Sequence, residues 1–291
     1  MFGTALSPIY LNRAASQKDS RGIEFHRAAS RMAFGWLLRN RDPRALRWLV
    51  RFVGSPLALT RYQEFDFAWR KLPNQITQYL DVSSPVFFPI RLLNEHPNVK
   101  ATLVNPDQSD LAFTRELVQA GNFTNRVTSK SVLIEDLDEP DEHFDLITSI
   151  SVIEHIPDNK SAIQKLWRLL KRGGSLLISM PCSARAYSLY TNSDRYGLLE
   201  QDKKGQVFFE YLYDDALLEE FIFSVTGKPK SVEIYGEIRP GFLRNEIVKN
   251  WTMTSFKFWE EPLMMNREFT RFKRISDLPG EGVIALEFVK P

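Results

Sequence analysis

The chain has 291 residues, 25% of them charged, 43% hydrophobic and 12% aromatic, which is too apolar for a disordered protein and too charged for a membrane-spanning one. A single cysteine, Cys182, excludes an intramolecular disulfide, and four scattered histidines (His26, His96, His143, His155) without CxxC or HExxH spacing supply no closed zinc site, so no metal is expected. The net charge of +2 conceals an asymmetry: residues 1–72 hold 13 Lys/Arg against five Asp/Glu, a surplus of +8, and the remainder carries −6.

Met1–Leu11 has no basic start, and its apolar run is broken by Ser7 and Pro8, so no cleavable leader is expected and a cytoplasmic location is. The longest apolar runs, such as Ala33–Leu38, fall far below the roughly 18–20 residues of a membrane span. Residues 20–40 and 42–54 read as helices. The second starts with Asp42 as cap and Pro43 at the first helical position, carries Arg44, Arg47 and Arg51 on one face, and stops at Gly54-Ser55-Pro56.

From about residue 75 the pattern becomes an alternation. Strands are expected at 76–82, 100–104, 126–133, 144–150 and 175–180, with helices at 86–95, 108–120 and 158–171 between them. The last of these helices has Asp158 as cap, places Ile163, Leu166, Leu169 and Leu170 on one face, and is expected to stop at Gly173-Gly174. A further helix at 213–225 and strands at 231–236 and 282–289 complete the chain. Such alternation implies an α/β fold, a mostly parallel twisted sheet with helices on both faces. The domain reading is a basic helical segment, 1–72, followed by a core, 73–291. That core holds a loop at 182–212 and an insertion at 238–281 with Trp251, Trp259, Met264 and Met265.

In an open sheet of this kind ligands sit beyond the carboxyl ends of the strands. Three of those ends carry a resemblance. Phe144-Asp145-Leu146-Ile147-Thr148-Ser149-Ile150-Ser151-Val152-Ile153-Glu154-His155-Ile156-Pro157-Asp158, then Leu169-Leu170-Lys171-Arg172-Gly173-Gly174-Ser175-Leu176-Leu177-Ile178, with Tyr79-Leu80-Asp81-Val82 before them, resemble the class I S-adenosylmethionine-dependent methyltransferases over roughly residues 75–185. The resemblance implies a Rossmann-like fold with an antiparallel last strand, S-adenosylmethionine as cofactor, and methyl transfer to a small-molecule acceptor.

It also implies a cofactor site at Asp81, Ser83, Ser84, Asn105, Leu133 and Ser149. The family's glycine loop is degenerate here, its three glycine positions reading Ser83, Pro85 and Phe87. A serine hydroxyl can bond the amino-acid part of the cofactor, proline removes an N–H donor, and Phe87 must point away from the pocket. The ribose-binding acid falls on Asn105, whose neutral amide binds a diol less strongly than a carboxylate does. The adenine-capping acid falls on Leu133, next to Glu135 and Asp136. The other reading is a non-catalytic protein of the same fold, used for binding or assembly. A dinucleotide-dependent oxidoreductase is disfavoured, since no GxGxxG follows a strand.

Methyl transfer needs alignment and, for a hydroxyl or amine acceptor, a base. His155 is the candidate base and Glu154 its orienter, set against a purely structural role for both. Arg185, Tyr187, Tyr190, Arg195 and Tyr196 are candidates to hold a planar or anionic acceptor, or to pack as a structured loop; Phe208, Phe209, Tyr211 and Tyr213 read as core. Nothing near Cys182 activates it as a nucleophile. The basic segment is read as a lid or packing element, as a peripheral membrane contact through residues 20–54, or as a nucleic-acid contact. The acidic remainder argues against a specific nucleic-acid partner, and the insertion suggests an acceptor-side cap or a homodimer contact.

Overall fold

The computed structural model describes residues 22–39, 46, 48, 50, 52, 59–192, 201–243 and 261–291. Eight strands form one sheet: β1 (Gln78–Val82), β2 (Lys100–Val104), β3 (Val127–Lys130), β4 (Phe144–Ile150), β5 (Leu170–Ser183), β8 (Ser231–Glu237), β9 (Phe269–Phe272) and β10 (Glu281–Val289). Their spatial order is β3-β2-β1-β4-β5-β10-β8-β9. The pairs from β3 to β5 are parallel, and β10 runs antiparallel to both β5 and β8. The order reverses between β1 and β4, which makes the gap between their carboxyl ends the switch point. The expected parallel sheet with an antiparallel last strand is present. β9 is an added antiparallel edge strand from the 238–281 insertion.

Both faces are covered, which is why β1 and β4 are buried at nearly every position instead of alternating. On one face, α5 (Asn159–Leu169), capped by Asp158 on the Ser161 N–H, buries Ala162, Ile163, Leu166 and Leu169 against Ile147 and Ile178. The helical segment 215–226, capped by Asp214, lies beside it and has a π turn at Glu219–Phe223. α5 ends at Leu169, earlier than the two glycines indicate. Leu170 already pairs with Phe144 as the first residue of β5, and Lys171 is drawn to Asp145 at 2.6 Å. The glycines serve the strand instead: Gly173 has a φ of 75°.

The other face carries α1 (Ile23–Arg39), α2 (Arg61–Arg70), α3 (Phe87–Glu95) and α4 (Gln108–Ala120). Phe25 of α1 meets Phe65 and Trp69 of α2 at 5.2 Å and Phe87 and Phe88 of α3 at 6.0 Å between ring centroids. The Arg91 guanidinium lies 4.1 Å from the Phe25 ring centroid and 4.0 Å from that of Trp69. Trp48 and Phe52 close on Trp36.

The described helices of the basic segment thus complete the core on one face of the sheet. The segment's charge has partners as well. Arg70 bonds Glu233 of β8 at 2.9 Å, and Lys71 bonds Ser231 at 2.8 Å and approaches Glu287 of β10 at 3.6 Å. The helix expected at 42–54 is helical at 46, 48, 50 and 52; Arg44, Arg47, Arg51, Trp251 and Trp259 lie outside the described residues, as does the side chain of Met264. Met265 is fully buried. Among the described residues no helix is long and apolar enough to cross a membrane, and no three His, Cys, Asp or Glu side chains are grouped to hold a metal ion.

Candidate active site at the strand ends

The carboxyl ends of β1 and β4 meet at Asp81. Its Oδ1 accepts from Thr148 Oγ1 at 2.7 Å and from the Tyr79 hydroxyl at 3.0 Å, and its Oδ2 accepts from the Ser84 N–H at 3.2 Å. Burial raises its pKa to about 6 against the pull of these donors. Ser83 sits at a φ of 51°, the left-handed conformation that glycine usually supplies. Its N–H and its hydroxyl both bond the Val104 carbonyl, at 2.8 and 3.0 Å, so the hydroxyl expected to face a ligand is spent on β2. Ser84 Oγ accepts the Ile150 N–H at 3.1 Å. Phe87 points away, as it must, into the Phe25 and Phe52 rings. With Val86 leading into α3, no side chain caps that helix.

Asn105 lies past β2, where its side-chain oxygen accepts the Asp107 N–H at 2.9 Å; Asp107 in turn caps α4. β3 ends at Lys130, three residues short of the expected strand, so Leu133 lies in the following turn and is exposed. Ser149, at the end of β4, is fully buried and its Oγ has no partner.

Above β4 and β5 the sequence reading missed a second cluster. Glu64 of α2 is buried and ionised. Arg61 Nη1 donates to its Oε1 at 2.7 Å, and Ser151 Oγ and Ser179 Oγ donate to its Oε2 at 2.7 and 2.6 Å. Burial would raise its pKa, but Arg61 and the serine hydroxyls outweigh that and lower it. Ser151 holds a φ of 49° and also receives a 2.6 Å bond from Arg61. Glu154, in the single turn after β4 (Ile153–His155), is 2% exposed with no partner on Oε2. Burial, with a smaller contribution from Glu64, pushes it up to about 8 against the opposing pull of Arg61, so it is protonated at neutral pH. Nothing in the local sequence ties Glu64 to partners 87 and 115 residues away; only the docking of α2 does so.

His155 lies 3.9 Å from Glu154 Oε1 through Nε2, and its Nδ1 lies 2.7 Å from the Phe209 carbonyl. A carbonyl only accepts, so Nδ1 carries a proton and donates it to Phe209. Phe209 belongs to a hairpin of β6 (Tyr187–Thr191) and β7 (Val207–Leu212), which replaces the loop expected after β5. Tyr187, Tyr190 and Phe209 are exposed on it, whereas Tyr213 is buried, so the aromatic run read as core is divided between surface and interior. Arg195 and Tyr196 lie outside the described residues. Cys182 is buried with its thiol pushed up by burial, which leaves it inert. At the opposite, amino end of the sheet a cavity of about 420 Å³ is lined by Arg70, Lys71, Lys230 and Glu287, whose charges already pair with one another or with Glu233.

A family model described as a methyltransferase domain matches residues 80–178. Over 79 residues the chain is 35% identical to the ubiquinone/menaquinone biosynthesis C-methyltransferase UbiE of Shewanella sediminis, covering 27% of this chain and 32% of that protein. Over 80 residues it is 31% identical to the ubiquinone biosynthesis O-methyltransferase of Alkalilimnicola ehrlichii, again covering 27% and 32%. The matches thus span about a third of the length of these curated relatives. Among solved structures, the MccD protein superposes with a TM-score of 0.53 at 18% identity, over 79% of this chain and 96% of that one. Geranyl diphosphate C-methyltransferase from Streptomyces coelicolor A3(2), solved with Mg2+, geranyl diphosphate and S-adenosyl-L-homocysteine, gives 0.51 at 9% identity over 86% and 85%. At such identities the likeness is one of fold. The strand order, the family match and the curated relatives agree in supporting a methyltransferase domain of the class I, S-adenosylmethionine-dependent type over residues 80–178.

Proposed function

We propose that the chain transfers the methyl group of S-adenosylmethionine to a small-molecule acceptor. The observation that carries this reading is the turn after β1, at the switch point: Ser83 adopts the backbone conformation of the missing glycine, and α3 starts without a side-chain cap. The positive dipole end of α3 suits a carboxylate such as the amino-acid end of the cofactor. The orphaned Ser149 Oγ adds a free polar group at the end of β4. Asp81, Ser83, Ser84, Asn105, Leu133 and Ser149 are the residues assigned to the cofactor. Ser83, Ser84 and Asp81 have committed their side chains within the protein, so they act by shaping the turn.

When bound, the cofactor supplies a methyl group for in-line displacement from a sulfonium. The chain's own part is alignment, exclusion of water and removal of a proton. His155 Nε2 takes the proton of an acceptor hydroxyl or amine, with Glu154 beside it. The exposed rings of Tyr190 and Phe209 offer apolar surface to a planar acceptor. The relatives named for ubiquinone and menaquinone biosynthesis, and the neighbour solved with geranyl diphosphate, support a small acceptor.

Exposed Phe34, Leu38, Leu46 and Val50 support a peripheral membrane contact through residues 20–54, which Leu38→Glu should weaken in liposome co-sedimentation. The test of the activity is calorimetric titration with S-adenosylmethionine and S-adenosylhomocysteine. Binding of both is expected, weakened at least tenfold by Asp81→Ala. No heat and no thermal shift at millimolar ligand would instead favour a non-catalytic protein of this fold.

A further inference from the structure

Glu154 stands out among the buried acids. Glu64, beside it, has every oxygen matched by a donor, whereas Glu154 is buried to the same degree with Oε2 unpartnered. A buried carboxyl oxygen without a partner forfeits its hydration with nothing in return, in either protonation state. The groups that act on it are Arg61 and Glu64 from α2, Ser151 and His155 from its own turn, and Tyr213 from beyond β7. None completes it: Arg61 is held by Glu64 and Ser151, the Tyr213 hydroxyl takes a 2.5 Å bond from Asn159, and His155 Nε2 lies 3.9 Å away, on the Oε1 side. The acid follows the end of β4, beside the switch point, where open α/β sheets bind their ligands.

We propose that Glu154 is the acidic wall of a buried cation site, taking a sulfonium or ammonium group, and that it gives up its proton as the cation arrives. The inference rests on the methyltransferase reading above, since a sulfonium is the charge that S-adenosylmethionine brings. The carboxyl O–H bond breaks, the proton passes to solvent, and the carboxylate that remains is paired with the cation. Burial, with the neighbouring anion Glu64 adding to it, keeps Glu154 neutral when no cation is present, and an incoming positive charge reverses that balance. The fully matched Glu64 stays ionised throughout and anchors α2 over the site.

The test counts protons. Titration calorimetry at pH 7 in buffers of different ionisation enthalpy gives the protons released on binding S-adenosylmethionine, S-adenosylhomocysteine, whose sulfur is neutral, and trimethylsulfonium. The expected result is that S-adenosylmethionine releases about one proton more than S-adenosylhomocysteine, since a carboxyl at about 8 is mostly protonated at that pH. Glu154→Gln, which keeps the shape of the neutral acid, erases the difference and leaves S-adenosylhomocysteine affinity within twofold. Equal proton counts in the unaltered protein, or a difference that survives Glu154→Gln, overturns the cation site and leaves the methyltransferase reading standing. If neither nucleoside binds, the methyltransferase reading fails. Trimethylsulfonium then decides: proton release that Glu154→Gln abolishes keeps the cation site, and its absence overturns it.

Discussion

Ser179 of β5 donates a 2.6 Å hydrogen bond to Glu64 of α2, a residue 115 positions earlier in the chain. With Ser151 and Arg61 it forms a closed network between the N-terminal helices and the ends of the central strands. Removing one partner from a buried charged network leaves the others unpaired, which costs far more than the net worth of any one bond.

Glu64→Ala should therefore destabilise the protein by about 3 kcal/mol, read as a shift in the urea midpoint at unchanged slope. Glu64→Gln, which can still accept from the two serines, should cost less. The folded-state pKa of Glu64 is lowered from 4.5. Its contribution is thus complete above the unfolded value and is lost as pH falls through the folded one. A Glu64→Gln protein whose acid limb matched that of the unaltered protein would contradict this assignment.

Glu154 acts in the opposite direction. Its folded-state pKa of about 8 lies above the unfolded 4.5, so the folded state holds an extra proton between those values and stability falls as pH rises through that window. Replacing it with a permanently neutral isostere removes the cost of ionising it. Glu154→Gln should be more stable than the unaltered protein at pH 9, by on the order of 3 kcal/mol, with little gain at pH 5. Thermal melts at the two pH values check this, and an equal shift at both would refute it.

Arg91 is 7% exposed, stacked on Phe25 and Trp69, and bonded to Glu95 at 2.8 Å. A planar guanidinium can lie on aromatic rings as an ammonium cannot. Arg91→Lys should cost about 2 kcal/mol in chemical denaturation and increase protease cleavage within residues 22–70. A loss below about 0.5 kcal/mol would mean the stack contributes no more than a surface contact.

Gly22 has a φ of 70°, and a Cβ there would lie 2.1 Å from the Tyr62 carbonyl oxygen. Both features oppose any side chain where α1 begins against α2. Gly22→Ala should cost at least 2 kcal/mol, measured by the thermal midpoint, and should separate the two helices. A neutral outcome would show that α1 starts elsewhere in solution.

The sheet was legible from local pattern. β2, β4 and α4 fall at the bounds expected from the sequence, because hydrophobic periodicity acts within a few residues. The alternation specified parallel pairing, and the Phe144–Asp158 block carried the family. Asp81, Glu154 and His155 were visible as strand-end residues. What Ser83 does was not: its hydroxyl turns to the Val104 carbonyl, a partner 21 residues on. The end of α5 was also misplaced, since the pull of Asp145 on Lys171 is a contact across strands.

By itself, then, the sequence determined the order of strands and helices, the Rossmann-like class and the strand-end acids, all consequences of local periodicity and short motifs. Tertiary structure alone decided the fate of the charge asymmetry. The surplus of +8 and deficit of −6 marked off a basic helical segment, 1–72, from a core, 73–291. In the fold, Arg70 and Lys71 lie against Glu233 and Glu287, and Arg61 and Glu64 enter the strand ends. The physical reason is that charge pairing is set by distance in space, and the distance from α2 to β8 is fixed only once both pack on the same sheet.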